Sequence, residues 1–400
     1  MKRIIITLLI ISIAFLGWRF IRPMNIFVVN DLFAWPIDTS QVAAPLNTLS
    51  AKECGACHEE IYREWKTSIH SQSWTDPYFQ ADFVFDNQQY ICRTCHTPLD
   101  RQLPELAVGY KDKDKWYPIL KNNSDFDPEL QQEGVTCAAC HFREGKIRTV
   151  MMHNNAPHPL SRLDSPNRIC VRCHVVSGER WDTFLTFPPC GTVAEIETSK
   201  GKGYEEQSQD MSAEVVDSLG CVNCHMPLKK RPLVAGGVNH NARQHLWRGG
   251  HDPQQVKKGL TIALHQTKNL KPNQQSYTLS ISNTGANHYI PTGTPDRHLI
   301  VRLRILDANE NILDEQENKL IRTVLWRPVI LDLWDTRLPV NELRQYTIDI
   351  TSSYKGRAKY IEADVRYYLV DKKRLQRINY QSKNPLNYEI FSKRIELANE

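Results

Sequence analysis

The sequence predicts an α+β chain in three parts. An N-terminal membrane helix comes first, then a mostly helical and irregular middle, then an antiparallel β-sandwich of immunoglobulin-like architecture. Three observations predict this. The apolar run Ile4 to Trp18 lies between basic residues. All 11 cysteines fall within residues 54–224, and the last 176 residues have none. After Pro253 the chain becomes a series of β-branched, strand-like segments. Composition permits such a chain. Its 400 residues suit more than one domain. With 24% charged and 41% hydrophobic residues, wholesale disorder and a multi-span membrane protein are both ruled out. A net charge of +5 lacks the basic excess of a nucleic-acid binder, so no nucleic-acid partner is expected. The charge is uneven: +4 over residues 1–29, −6 over 30–252 and +7 over 253–400, as separate units would give.

The N-terminal run follows Lys2 and Arg3 and precedes Arg19 and Arg22. No small-x-small cleavage motif closes it, which favours an uncleaved signal anchor over residues 1–22, basic end in the cytoplasm. A removed signal peptide is the alternative. Fifteen apolar residues at about 1.5 Å each span about 22 Å, short of a roughly 30 Å hydrocarbon core. Phe20 and Ile21 extend the run if Arg19 snorkels towards the headgroups. Residues 23–50, with Pro23, Pro36 and Pro45, read as a linker.

Residues 51–252 carry the chemistry. Ten cysteines form five CxxC pairs, each followed directly by histidine: Cys54, Cys57, His58; Cys92, Cys95, His96; Cys137, Cys140, His141; Cys170, Cys173, His174; Cys221, Cys224, His225. From the frequencies of Cys and His, roughly 0.01 such strings are expected by chance. The spacing is the attachment signature of c-type haem. Two thiols add to the two vinyl groups of one haem, so they must sit a fixed distance apart. The next residue, His, then meets the iron from the same side. A zinc ribbon pairs two CxxC knuckles without needing His directly after the second Cys each time. A disulfide framework has no use for the repeated His. The expected cofactor is therefore haem c, five groups covalently attached, with the ten cysteines as attachment points and His58, His96, His141, His174 and His225 as proximal ligands. Such attachment occurs outside the bacterial cytoplasm. The expected location is the periplasmic side of the inner membrane, or the periplasm if the N-terminus is cleaved. Short helices should surround the motifs, with much irregular loop between. Cys54, Cys57, Ile61 and Trp65 place one helix over Ala51 to Thr67, and Ser212 to Leu219 reads as another.

Residues 253–400 form the predicted β-sandwich. Its strand-like segments are Leu260 to His265, Ser276 to Asn283, Leu299 to Leu306, Leu320 to Trp326, Gln345 to Ile350 and Ile361 to Val370. Polar turns separate them, and their spacing fits an immunoglobulin-like sandwich.

A low-spin haem needs a second axial ligand, usually His or Met. Nine histidines remain. His70, His153, His158, His240, His245 and His251 lie in or at the end of the haem region. Of these, His70, His158, His240, His245 and His251 are the candidate distal ligands, and His153 stands close behind. His265 reads as a strand residue. His288 and His298 flank a loop that could reach back to the haem region. Met226 follows its motif directly and does not turn to the distal face of its own haem. Cys190, in Phe187-Pro188-Pro189-Cys190-Gly191, is the unpaired cysteine. It reads as a buried thiol, with an iron thiolate, a reactive thiol and an intermolecular disulfide as alternatives.

Three stretches carry a family resemblance. Residues 54–74, CGACHEEIYREWKTSIHSQSW, resemble the opening of the cytochrome c-554 type of multihaem cytochromes, with Tyr62, Trp65, Ser68 and His70 after the motif. The resemblance implies a distal-ligand role for His70. Residues 221–227, CVNCHMP, with His240, His245 and Gly249-Gly250-His251-Asp252 after them, resemble the close of such domains, where the last histidines cap irons. Residues 283–299, NTGANHYIPTGTPDRHL, resemble the sandwich appended to related multihaem proteins. The fifth motif and the β unit depart from the simplest four-haem members.

Three functions fit these residues. Electron transfer through five haems needs no further assumption. An oxidoreductase acting on a small nitrogen or sulfur compound needs one haem with an open axial site. An adapter would dock a partner on the sandwich. The expected partners are redox proteins or quinol-linked membrane donors, together with the membrane itself through the N-terminal helix.

Overall fold

The computed structural model describes residues 2–21, 29, 31–174, 183–187, 191–199, 217–267 and 275–398. Cys190 and most of the Ser212–Leu219 segment lie outside them. The N-terminal helix runs Lys2–Ile21. Its 20 residues rise about 30 Å, the thickness of a hydrocarbon core, and its side chains from Ile4 to Leu16 are exposed. The helix takes in Lys2 and Arg3 before the apolar run and Arg19, Phe20 and Ile21 after it. Arg19 does not reach outward as expected. It is buried, and its Nε donates to the Pro328 carbonyl at 2.8 Å. Arg327 in turn donates to the Phe20 carbonyl.

Residues 31–50, read as linker, pack against the body instead. Phe33 and Ala34 are buried with Ile91 and Trp116. Ile37 and Leu49 are buried with Leu99, Leu130 and Phe142. The apolar residues between the prolines are what hold this segment down. Asp100 clamps the chain from below, accepting from Thr39 N at 2.9 Å.

The haem region is built of short helices joined by loops and small sheets. Ala51 to Thr67 is two helices rather than one, Ala51–Gly55 and Glu59–Lys66. The Ser50 hydroxyl caps the first by accepting from Glu53 N. His58 (φ −94°, ψ 52°) breaks the run and caps the second. Its ring leaves the first helix, which the hydrophobic spacing alone did not reveal. Asp76 caps Pro77–Phe85 and Asp127 caps Pro128–Gln132, each with proline in the first turn. Small sheets bind the loops: β1 (Glu105–Tyr110) with β2 (Pro118–Asn122), then β3 (Phe142–Arg143), β4 (Lys146–Thr149) and β5 (Leu160–Arg162). Strand β6 (Thr183–Phe184) leaves this region for the C-terminal unit, while β7 (Leu228–Pro232) and β8 (Asn239–Arg243) form a hairpin.

The C-terminal unit holds β9 (Leu260–Thr267), β10 (Gln275–Asn283), β11 (His298–Leu306), β12 (Ile312–Leu325), β13 (Ile330–Asp335), β14 (Leu343–Ile350), β15 (Tyr360–Tyr368) and β16 (Asn387–Glu396). They form a three-stranded sheet, β14-β10-β9, and a six-stranded sheet, β16-β15-β11-β12-β13-β6. Pairing is antiparallel except for β6 on β13. Leu279 and Ile281 of one sheet and Val301, Leu303, Ile361 and Val365 of the other share a single buried core. Each such side chain contributes roughly 1.5–3 kcal/mol by leaving water. The sequence missed β13 and β16, whose alternation is broken by charged and aromatic residues.

The two units are locked together. Glu195, in the haem-region helix Thr192–Ser199, pairs with Arg337 at 2.5 Å, both side chains buried. Tyr388 Oη donates to the Gly250 carbonyl at 2.5 Å. Arg374 binds Asp82, with Asp86 at 3.5 Å.

Candidate cofactor site

Each CxxCH string sits on or at the end of a short helix: Ala51–Gly55, Tyr90–His96, Cys137–His141, Asn167–His174 and Cys221–His225. Residues three and four apart share a helix face, so the second thiol and the histidine both lie near the first thiol. All ten cysteines are free thiols. Every one of them, with all five motif histidines, lines a single branched cavity of about 3580 Å³. That is about 700 Å³ per motif, within the ~300–1,000 Å³ of a cofactor pocket.

The motif histidines are aimed. Nδ1 donates to a backbone carbonyl in four of them: His58 to Leu233 at 2.8 Å, His96 to Ser73 at 2.6 Å, His141 to Arg148 at 2.8 Å and His225 to Arg248 at 2.6 Å. This fixes the tautomer and leaves Nε2 as the lone-pair donor into the cavity.

Four motif histidines face a second imidazole. Ring centres are 6.5 Å apart for His58 and His158, 6.1 Å for His141 and His245, 6.4 Å for His70 and His174, and 6.4 Å for His225 and His288. Two imidazoles bound to one metal from opposite sides have centres about 6 Å apart, given bonds of about 2 Å and about 1 Å from nitrogen to ring centre. Imidazoles packed on each other would lie closer. The donor set therefore fits an iron between each pair. Burial keeps three of the second histidines neutral, the form that ligates: His70 and His245 are pushed down to about 3, and His288 to about 4. The buried Nδ1 of His70 has no hydrogen-bond partner among the described residues.

Three of the second histidines, His70, His245 and His288, are positioned by their surroundings. The His70 carbonyl accepts from Val135 N at 3.0 Å, beside Gly134. Gly134 has φ +63°, and a Cβ there would meet Ser73 Oγ at 2.4 Å, so the close approach requires glycine. The Glu64 carboxylate accepts from His245 N at 2.8 Å and pairs with buried Arg231 at 2.8 Å. The edge of Trp247 packs against both His70 and His245, at 4.9 and 5.2 Å. His288 comes from the β10–β11 loop, where Tyr289 N and the Thr292 hydroxyl donate to Glu195.

His96 differs. Among the described residues no imidazole faces it, and the Phe79 ring is stacked on its face at 3.7 Å. His251 turns elsewhere, with Nε2 3.5 Å from the Arg297 guanidinium. Burial pushes it down to about 4. Gly250 fits beneath Tyr367, whose hydroxyl a Cβ would meet at 2.7 Å.

Neighbouring motifs approach each other through their sulfurs. The thiols of Cys54 and Cys137, of Cys95 and Cys173, and of Cys170 and Cys221 lie close enough to perturb one another's ionisation. Cys140 and Cys173 also feel each other's charge. The spatial order is therefore first, third, fourth and fifth motif, with the second branching off the fourth.

Of the distal candidates, His70, His158 and His245 are brought to motif histidines. His240 is not: it lies on strand β8, and its ring meets His153 edge-on at 5.3 Å. His251 is held beside Arg297 instead. His265 is on β9 as expected, and His298 is buried with Nδ1 donating to Asp296 and its ring stacked on Tyr368. The loop bearing His288 was noted in the sequence, but its residue was left out of the ligand set. Glu64 and Trp247 had no sequence signal beyond polarity and size. Bare-metal sites are absent among the described residues, where no three ligating side chains cluster.

No protein-family model matches the chain, and no curated protein matches it. Among solved structures, the chain is similar to a penta-haem cytochrome c552 from Thermochromatium tepidum, with a TM-score of 0.58 and 18% identity over 87% of this chain and 98% of that one. A Bordetella pertussis structure described as an ApaA protein aligns to 35% of the chain with a TM-score of 0.15, too low to bear on its fold. The chain has the fold of a multihaem cytochrome.

Proposed function

We propose that this protein is a membrane-anchored, periplasmic electron carrier holding five covalently attached haem c groups. The observation that carries the reading is the set of four facing imidazole pairs around one continuous cavity, each pair beginning in a CxxCH motif. Bound haem supplies a one-electron iron couple whose potential follows axial ligation, hydrogen bonding and burial. The chain's own residues do the rest. The ten cysteines would fix the groups, the backbone carbonyls orient the proximal imidazoles, and His158, His245, His70 and His288 would serve as second ligands at the first, third, fourth and fifth motifs, facing His58, His141, His174 and His225. Contact between successive motifs gives electrons a route from the first to the fifth. The partners are redox proteins or quinol-linked membrane donors. The family reading is the cytochrome c-554 type, and the two facing sheets are read as an immunoglobulin-like sandwich.

A second reading rests on His96. With no imidazole facing it among the described residues, its haem has an axial position that a small nitrogen or sulfur compound could take, which would make the protein an oxidoreductase. Mass spectrometry of the denatured chain checks the cofactor count, with five haem additions expected. Electron paramagnetic resonance of the oxidised full-length protein then separates the readings. Four low-spin haems and one high-spin haem support an open site at His96. Five low-spin haems leave the carrier and remove the enzyme.

A further inference from the structure

We propose that the outer face of the β12–β13–β6 edge lies on the lipid surface, so that the protein is held against the membrane by a sheet as well as by its helix. The inference rests on the reading that Lys2–Ile21 spans the membrane, and it begins where that helix ends. Arg19 is buried against Pro328, and Arg327 donates to the Phe20 carbonyl. The turn between β12 and β13 is thereby fixed to the last turn of the helix, at the depth of the headgroups. Trp18, 42% exposed on that turn, is a residue type enriched at membrane interfaces.

The register of the strands then decides what else meets the lipid. Leu325 on β12 pairs with Leu331 on β13, and Leu331 pairs with Phe184 on β6. Directly paired residues share a face, so these three form a row across the sheet. Leu333 follows at a bulge, where Asp332 pairs with Val324 and Trp334 with Thr323, and it is exposed beside the row. Phe184 is 56% exposed, Leu333 44% and Leu325 36%. None of the four lines the cofactor cavity. The opposite face of the same strands is the protected one: Ile330 is buried, and Asp332 pairs with buried Arg322 at 2.8 Å. An apolar row turned outward, starting one turn from a membrane helix, fits the acyl–headgroup boundary.

Photo-crosslinking in liposomes of phosphatidylcholine and phosphatidylglycerol tests it with the full-length, haem-loaded chain. Benzoylphenylalanine is placed at position 184, at position 10 in the helix, or at position 343, an exposed leucine on the other sheet. Lipid adducts at 10 and 184 and none at 343 are expected. Adducts at 10 without any at 184 overturn the docking surface and leave the anchor standing. Adducts equally at 184 and 343 also overturn it, as nonspecific contact. An absence of adducts at 10 overturns the anchor and the docking surface together.

Discussion

The two units bury their chains in opposite ways. In the C-terminal unit, 19 buried hydrophobic residues from both sheets form one continuous cluster. In the haem region no buried cluster among the described residues exceeds seven residues, and the clusters surround a cavity of about 3580 Å³. The first unit carries its core in its own side chains. The second has helices too short to be stable alone, since isolated helices under about 12 residues are marginal in water. Its centre is a cavity lined by the ten motif cysteines and five motif histidines. The difference teaches that one sequence can combine a unit packed around its own side chains with a unit built around an open cavity.

The largest expected effect breaks that comparison at its root. Chain produced without haem attachment should leave residues 51–252 open to protease while the C-terminal unit resists. Limited proteolysis with mass spectrometry reads this. Equal resistance of both units would erase the distinction.

Next comes the joint between them. Arg337→Met leaves Glu195 buried without its partner, a loss of about 3–5 kcal/mol. Glu195 also receives Tyr289 N and the Thr292 hydroxyl, so His288 should lose its setting. Chemical denaturation and the spectrum of the His225 haem should change together.

Ligand changes should be confined to single haems. His70→Ala and His245→Ala should each turn about one haem in five high-spin, since an iron that loses one of two imidazoles loses its strong axial field. His251→Ala should leave the low-spin count unchanged, because His251 sits against Arg297. Loss of a low-spin signal in that variant would assign His251 to the His96 haem. Smallest is Arg374→Ala at the periphery of the joint. Arg374 is only part-buried against Asp82 and Asp86, so about 1 kcal/mol is expected, read as a small shift in the denaturation midpoint.

The legibility of the chain divided along the same line. The ten motif cysteines and five motif histidines were readable because the CxxCH spacing is local, and the structure lines one cavity with all of them. Strands β10, β11 and β15 were readable because alternate residues enter a shared core. The histidines that face the motifs were readable as a pool but not as pairs, because each pair joins segments far apart in sequence. His240 and His288 show why. His240 lies nearer a motif in sequence, yet its hairpin carries it to His153, whereas His288 is brought to His225 by Glu195 acting across the two units. Residues 31–50 were misread for a related reason. Their prolines suggested a linker, but Phe33, Ile37 and Leu49 find buried partners that only the folded chain supplies.

His288→Ala in the full-length, haem-loaded protein tests the central claim most directly, because it asks whether the β unit completes an iron site in the haem region. Spin quantitation of the oxidised variant by electron paramagnetic resonance should show one low-spin haem lost and one high-spin haem gained, with five haems still attached. An unchanged low-spin count would contradict the pairing of His225 with His288 and, with it, the view that the two units share the site.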